Sequence, residues 1–386
     1  MRVSGKNFSE KKMTFSEFLA KLDRPIRPII SYLNPEFTSW FYSSSRKFFL
    51  SFFTQEATRK TIKYPESWKR TFWDIDFNCP IFNSAGMFKK GEGYGTVAAQ
   101  RAGAYLAGTT TGKPRSGNVK KGITHPFAPF PNSSAAINWM GLPNEGHEYV
   151  AKRLSNLDKV AGCPIGASLS ASPDIHGKWA AKELCEGMKT YEKAGVDFIE
   201  INESCPNVPH ELDEYGDSSR LDKNLVERLE YVSQNFLKKR SGNLPVIVKF
   251  SNDTNPEQIE EIIDLLLTLG FDGVNFGNTS ILYDVHLPTI NPKDQDIYDY
   301  FTKTFGGGLS GRMLKPYSLE LASEAADILD KKNTQREFHI IRTGGVEDIS
   351  DIHDSEQNGI SLNQWFTGYF DSFSHYGHKL YAKLLD

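Results

Sequence analysis

The sequence predicts one large α/β domain, a (β/α)8 TIM barrel, with a small helical extension in front of it. Three observations predict it. From about residue 80 onward one grammar recurs eight times: a short apolar or β-branched run ends in small or polar residues, and a longer helix-like stretch follows. Several runs are introduced by a glycine that closes the preceding helical stretch, at Gly103, Gly195, Gly270 and Gly359, each expected as a left-handed C-terminal cap. Strands that alternate with helices pair in parallel, and eight consecutive units close into a barrel more readily than they extend an open sheet.

The chemistry of a barrel sits where its strands finish, so the end of each run matters most. The first run, CPIFNSAG (79–86), ends in small residues, which lets a flat ligand lie against backbone at Ala85 and Gly86, and Lys89 follows three residues later. The second, AYLAGTTT (104–111), ends in three threonines, and the third, CPIGASLS (163–170), offers Ser168 and Ser170. The fourth, DFIEINES (197–204), presents Asn202 and runs on into Cys205, Pro206 and Asn207. Lys249 comes from PVIVKFS (245–251), and Asn278 and Thr279 from GVNFGNT (273–279). FHIIRTGG (338–345) and LNQWFTG (362–368) close the set. Long stretches after the fourth and sixth runs are expected on the same rim, where long loops form sites.

Residues 1–73 do not follow this grammar and are assigned to the extension, with the barrel at 74–386. The extension reads as two short helices, the second starting at Asn34 as N-cap with Pro35 in the first helical position. It carries Phe37, Trp40, Phe41, Phe48, Phe49, Phe52 and Phe53 beside Arg46 and Lys47. Two readings stand side by side: a hairpin packed on the barrel, or an apolar vestibule that touches a membrane surface.

Composition removes several classes. The chain has 386 residues, 39% apolar and 24% charged, with a net charge of -3 and no basic stripe interleaved with aromatics, so nucleic acid is not expected as a partner. Its four cysteines, Cys79, Cys163, Cys185 and Cys205, are far apart, which argues against both a disulfide framework and a zinc site; no metal is expected. The start shows no apolar signal segment, and no apolar run approaches the roughly 18 residues of a spanning helix.

Three groups of residues carry the functional reading. Gly344 and Gly345 after the seventh run, with Thr367 and Gly368 after the eighth and FGGGLSGR (305–312) before them, make a phosphate cradle in which free N–H groups converge without an intervening Cβ. Asn138, in AINWMGLPN, joins Asn202, Asn207 and Asn278 as four amides that suit a heterocycle with alternating N–H and C=O groups along its edge. Cys205, fixed by Pro206 and set among polar neighbours, has no adjacent His or Asp to make it a protease-type nucleophile, so a general base for a carbon-bound proton is the more natural role.

NESCPN, INWMGLPN, GGLSGR, RTGG and FTG together resemble the dihydroorotate dehydrogenases, flavin enzymes of pyrimidine synthesis, over residues 74 to the C-terminus and weakly through the N-terminal helices. The resemblance implies FMN held by Ala85, Gly86, Lys89, Thr109, Ser168, Asn202, Lys249, Gly277, Gly311, Gly345, Phe366 and Thr367. It implies dihydroorotate bound by Lys89, by Asn138, Trp139, Met140, Gly141 and Leu142, and by Asn202, Asn207, Asn278 and Thr279. It also implies that Cys205 removes the C5 proton while the C6 hydride passes to the flavin, giving orotate.

The family divides into membrane-associated, quinone-reducing enzymes with a helical extension and a serine base, and soluble enzymes with a cysteine base that use fumarate or NAD. This chain is mixed: the extension, Lys89 and GTTT resemble the first type, SCPN and MGLPN the second, and Glu203 stands where an apolar or small residue is usual. The base acts only on dihydroorotate, whereas an aromatic-rich extension serves a lipophilic acceptor, so quinone is expected. A peripheral position on the cytoplasmic face of the inner membrane goes with it, the cytoplasm being the alternative. Two rival readings remain: another FMN barrel acting on a different pyrimidine, and a non-catalytic barrel whose aromatic hairpin recruits a partner.

Overall fold

The computed structural model of the chain describes residues 13–30, 32–56, 65–203 and 221–386. Eight parallel strands form the predicted barrel: β1 (Ile81–Asn83), β2 (Tyr105–Thr110), β3 (Ile165–Leu169), β4 (Phe198–Asn202), β5 (Val246–Phe250), β6 (Gly273–Phe276), β7 (His339–Thr343) and β8 (Leu362–Trp365). Each lies within one of the eight runs, and they pair in the order 1-8-7-6-5-4-3-2. A side chain helps to close the seam between β1 and β2: Asn83 donates to the Leu106 carbonyl at 2.8 Å and accepts from its N–H at 3.2 Å. Backbone bonds from Gly103 N to Ile81 O (3.0 Å) and from Gly86 N to Gly108 O (2.7 Å) complete it.

Three of the four cap glycines behave as read: Gly195, Gly270 and Gly359 have φ of +74°, +92° and +71°. Gly103 does not. The left-handed residue there is Arg101 (φ +65°), and Gly103 is small for another reason, since a Cβ on it would lie 2.0 Å from the Cys79 carbonyl oxygen.

The barrel interior divides into two layers. Below, Phe82, Leu106, Phe198, Ile247, Ile341 and Leu362 form an apolar layer closed by Trp73 and Phe77. Those two belong to an antiparallel hairpin, Arg70–Phe72 with Ile75–Phe77, which turns at Trp73–Asp74. The Trp73 indole donates to the Asp272 carbonyl at 3.1 Å, pinning the plug to the barrel floor. Above, toward the strand ends, the layer is polar. A separate antiparallel sheet (Phe127–Phe130, Ala135–Asn138, Gly308–Gly311) stands over that rim on its own apolar core.

The extension is a helical hairpin, α1 (Phe15–Ile30) and α2 (Pro35–Phe53). Asn34 caps α2 as expected, its Oδ1 accepting from the N–H of Glu36 (2.9 Å) and Phe37 (3.2 Å). The hairpin docks through Phe53, fully buried against Phe373, Tyr369 and Phe88, and through Glu56, which accepts from Ser16 N at 2.9 Å and meets His378 at 3.1 Å. The opposite face stays open: Phe15, Phe18, Leu22, Phe37, Trp40 and Phe48 are 45–53% exposed. No helix among the described residues is long and apolar enough to cross a membrane.

Candidate active site

A cleft of about 1040 Å³, its open mouth included, lies at the strand ends. Its walls bring together most of the residues singled out in the sequence. Ala85, Gly86 and Lys89 follow β1, Thr109 ends β2, Asn202 ends β4 and Lys249 comes from β5. Asn278 and Thr279 follow β6, and Asn138, Met140, Leu142 and Gly311 come from the overlying sheet and its loop. Gly344, Gly345, Phe366, Thr367 and Gly368 complete the side after β7 and β8.

Four predicted residues stand behind the wall. Ser168 is buried and holds Thr109, Oγ to Oγ1 at 3.0 Å. Gly277 (φ +128°) runs so close to the Thr343 carbonyl that a Cβ would lie 1.5 Å from it. The Trp139 ring faces Phe305 at 6.4 Å, and Gly141 (φ +70°) sits against the Asn118 side chain. Cys205 and Asn207 lie outside the described residues. Glu203, which precedes them, is paired bidentately with Arg228 (2.6 and 2.9 Å), which anchors the end of β4 to the helix Lys223–Val232.

Beneath the cleft lies a polar layer of which the sequence reading singled out Lys249 alone. Glu200, Lys249, Asn275, Thr343 and Gln364 project from five successive strands and are all buried. Gln364 and Asn275 donate to Glu200 Oε2 at 2.6 and 2.9 Å, and the Lys249 ammonium donates to Gln364 Oε1 at 3.1 Å. Lys249 Nζ is 3.9 Å from Glu200 Oε1, which has no hydrogen-bond partner among the described residues. Burial lowers the Lys249 pKa, and Glu200 opposes that shift. The signal was in the chain: Glu200 and Asn202 alternate with isoleucines in FIEIN, and polar residues at every second position of an apolar strand share one face. A second chain of contacts crosses the rim, with Asn202 donating to Thr109 Oγ1 at 2.9 Å and Asn278 to Asn202 Oδ1 at 3.5 Å.

The glycine-rich side suits a phosphate. The helix Thr367–Tyr376 begins without a side-chain cap, which leaves the N–H groups of Thr367 and Gly368 for an anion. A Cβ on Gly345 would lie 2.5 Å from Lys315 N, so no larger residue fits this cradle. Ser310 and Thr367 share a hydroxyl contact of 3.0 Å beside it. Glu347, the one carboxylate there among the described residues, is opposed by Arg312 at 2.9 Å and Lys315 at 3.7 Å.

A second cavity, apolar and about 1310 Å³ with its mouth, runs between α1 and α2. Leu19, Ile26, Phe41, Phe48, Phe49 and Phe370 line it, and its inner end is formed by Phe366 and Thr367, which also line the polar cleft. Inside, Asp23 accepts from the Tyr42 hydroxyl at 3.0 Å and pairs with Arg27 at 2.5 Å.

The family model described as dihydroorotate dehydrogenase matches residues 67–384. A dihydroorotate dehydrogenase (quinone) of Christiangramia forsetii is 30% identical over 302 residues, covering 78% of this chain and 79% of that protein. Its counterpart in Aeromonas hydrophila is 29% identical over 301 residues, 78% and 82% of the two chains. The crystal structure of an Eimeria tenella enzyme of this kind in complex with ferulenol superposes with a TM-score of 0.70 at 20% identity, over 89% of each chain, and so shares the fold. The chain belongs to the dihydroorotate dehydrogenase family.

Proposed function

We propose that this chain oxidises dihydroorotate to orotate with FMN as the hydride acceptor and returns the electrons to a quinone. The observation that carries the reading is the meeting of a polar cleft and an apolar passage at Phe366 and Thr367. A charged pyrimidine and a lipophilic oxidant need separate approaches to one flavin, and two cavities of opposite polarity provide them.

Ala85, Gly86, Lys249 and Phe366 would hold the ring system of FMN, with Thr109 and Asn202 beside it. Ser168 acts through Thr109, and Gly277 through the close approach of its backbone. Gly311, Gly345 and Thr367 would take the phosphate. Bound there, FMN supplies the acceptor for the C6 hydride.

Dihydroorotate is read by the amides of Asn138, Asn202, Asn207 and Asn278, with Thr279 beside them. Lys89, whose ammonium lies 3.1 Å from Met140 Sδ, offers its charge to the carboxylate. Trp139, Gly141 and Leu142 shape the loop that carries Asn138. Cys205 is assigned as the base that takes the C5 proton; a thiol of pKa about 8.5 needs nearby positive charge to ionise near neutrality, and Lys89 is the candidate.

The hairpin of residues 15–53 is assigned to quinone access. Its exposed aromatic face is assigned to peripheral contact with the cytoplasmic side of the inner membrane. The assay is an anaerobic titration of the purified yellow protein with dihydroorotate, followed by a panel of oxidants. Bleaching of the flavin and faster reoxidation by a short-chain quinone than by fumarate or NAD are expected. Failure to bleach rejects the substrate, and preference for fumarate rejects the acceptor.

A further inference from the structure

A third cavity, about 1470 Å³ with its mouth, lies between α2 and the loops around residues 114–116 and 143–145. Its walls carry five cationic side chains, Arg46, Lys47, Lys89, Lys90 and Arg115, against two carboxylates, Glu92 and Glu145. The proposed reaction uses Lys89 of these, and Arg46 also lines the apolar passage between α1 and α2.

The positive charge is poorly compensated. Lys90 pairs with Glu145, and Arg115 reaches the exposed Asp174 through Nη1 at 2.6 Å. Arg46 enters no ion pair among the described residues, and the Nε groups of Arg46 and Arg115 are both buried without a hydrogen-bond acceptor. Leaving a buried guanidinium N–H unpaired is costly, so such donors ordinarily find an acceptor. Neighbouring groups register the same excess. The His125 imidazole, 2.6 Å from the Ser116 carbonyl, has its pKa pushed down to about 4, first by burial and then by Lys89, Lys47 and Arg46. Lys47 is lowered by burial and by Arg46.

We propose that this cleft binds a phosphate group, held by the guanidinium groups of Arg46 and Arg115 and the ammonium of Lys47. Two guanidinium groups present paired donors that match phosphate oxygens, and the surplus of cations over carboxylates suits a dianion. Such a phosphate has two sources, a soluble phosphate ester or the headgroup of an anionic lipid. The second is close at hand, because α2 exposes Phe48 and Phe52 next to the face that carries Lys47.

The test reads binding and not turnover, so its result is independent of the reaction assigned above. Full-length, flavin-loaded protein is titrated calorimetrically with inorganic phosphate. It is then sedimented with vesicles of phosphatidylcholine alone and with phosphatidylglycerol added. Saturable phosphate binding is expected, weakened about tenfold in Arg115→Gln and in Lys47→Gln, the loss of one charge-assisted hydrogen bond each. The circular dichroism and flavin absorbance of both variants should be unchanged. Binding of phosphate with no preference for phosphatidylglycerol vesicles assigns the site to a soluble ester, and a preference that phosphate competes away assigns it to a headgroup. Absence of saturable phosphate binding, or binding that both substitutions leave intact, overturns the proposal.

Discussion

The polar cleft and the apolar passage end on the same two residues yet are built by opposite means. The cleft is made by strand ends, and its side chains are fixed from below by a buried layer in which hydrogen bonds link Glu200, Asn275, Gln364 and Lys249. The passage is made by two helices whose inner faces meet the barrel and whose outer faces expose aromatic rings. Precision in the cleft comes from hydrogen bonds that tolerate little displacement. Passage through the hairpin comes from apolar packing that is not directional. The difference teaches that the half-reaction with dihydroorotate should be sensitive to single atoms, whereas the half-reaction with the acceptor should be sensitive to surface and volume.

The largest expected effect separates the two chambers outright. Cys205→Ala should slow flavin reduction by dihydroorotate by roughly 10²–10⁴-fold, the usual contribution of a general base. Stopped-flow reoxidation of the reduced flavin by a short-chain quinone should stay at the parental rate, and an equal loss in both half-reactions would contradict a role confined to the cleft.

Lys249→Met tests the layer beneath. Removing one member of a buried charged pair leaves Glu200 uncompensated and should cost about 3–5 kcal/mol in urea denaturation, with loss of flavin. Adding Glu200→Gln to it should recover much of that stability. If the double variant is no more stable than the single one, the two groups do not act as a pair.

A smaller effect belongs to the hairpin. Replacing Phe37, Trp40 and Phe48 by serine removes three half-exposed rings, 46%, 50% and 53% accessible. Vesicle partitioning should fall by on the order of tenfold, a fraction of the roughly 1.5–3 kcal/mol of each fully buried side chain. Flavin reduction should be unaffected, and vesicle sedimentation with parallel stopped-flow measurements checks both halves of that expectation.

The last is a pH effect. His147 meets Thr110 Oγ1 at 2.9 Å, its Nε2 is buried without a partner among the described residues, and burial lowers its pKa from an ordinary 6.5 to about 4. The folded state therefore binds fewer protons than the unfolded state between those values. Its effect on stability is absent above pH 6.5, grows as pH falls through the window, and is complete below pH 4. Thermal melts between pH 7 and 4 should show a steeper acid loss in the parent than in His147→Gln.

Much of this was legible in the chain. All eight barrel strands fall inside the runs read from periodicity, and the Asn34 cap and three glycine caps are local signals that the fold preserves. Gly103 shows the limit: its pattern matched a cap, but its smallness answers a close approach by Cys79, a neighbour 24 residues away. The polar layer was present as Glu200, Asn275 and Gln364 in separate strands, and nothing in any one strand says that they touch.

The sequence by itself determined the repeating strand and helix units, their order, and which residues stand at the strand ends, because periodicity and caps depend on neighbours within a few turns of chain. Only the tertiary structure decided that Asn83 bridges the seam, that Phe366 and Thr367 are common to two cavities, and that the Arg46 Nε is buried without an acceptor among the described residues. Those facts join residues that are not neighbours along the chain, and they come into being only when the barrel closes and the hairpin docks upon it.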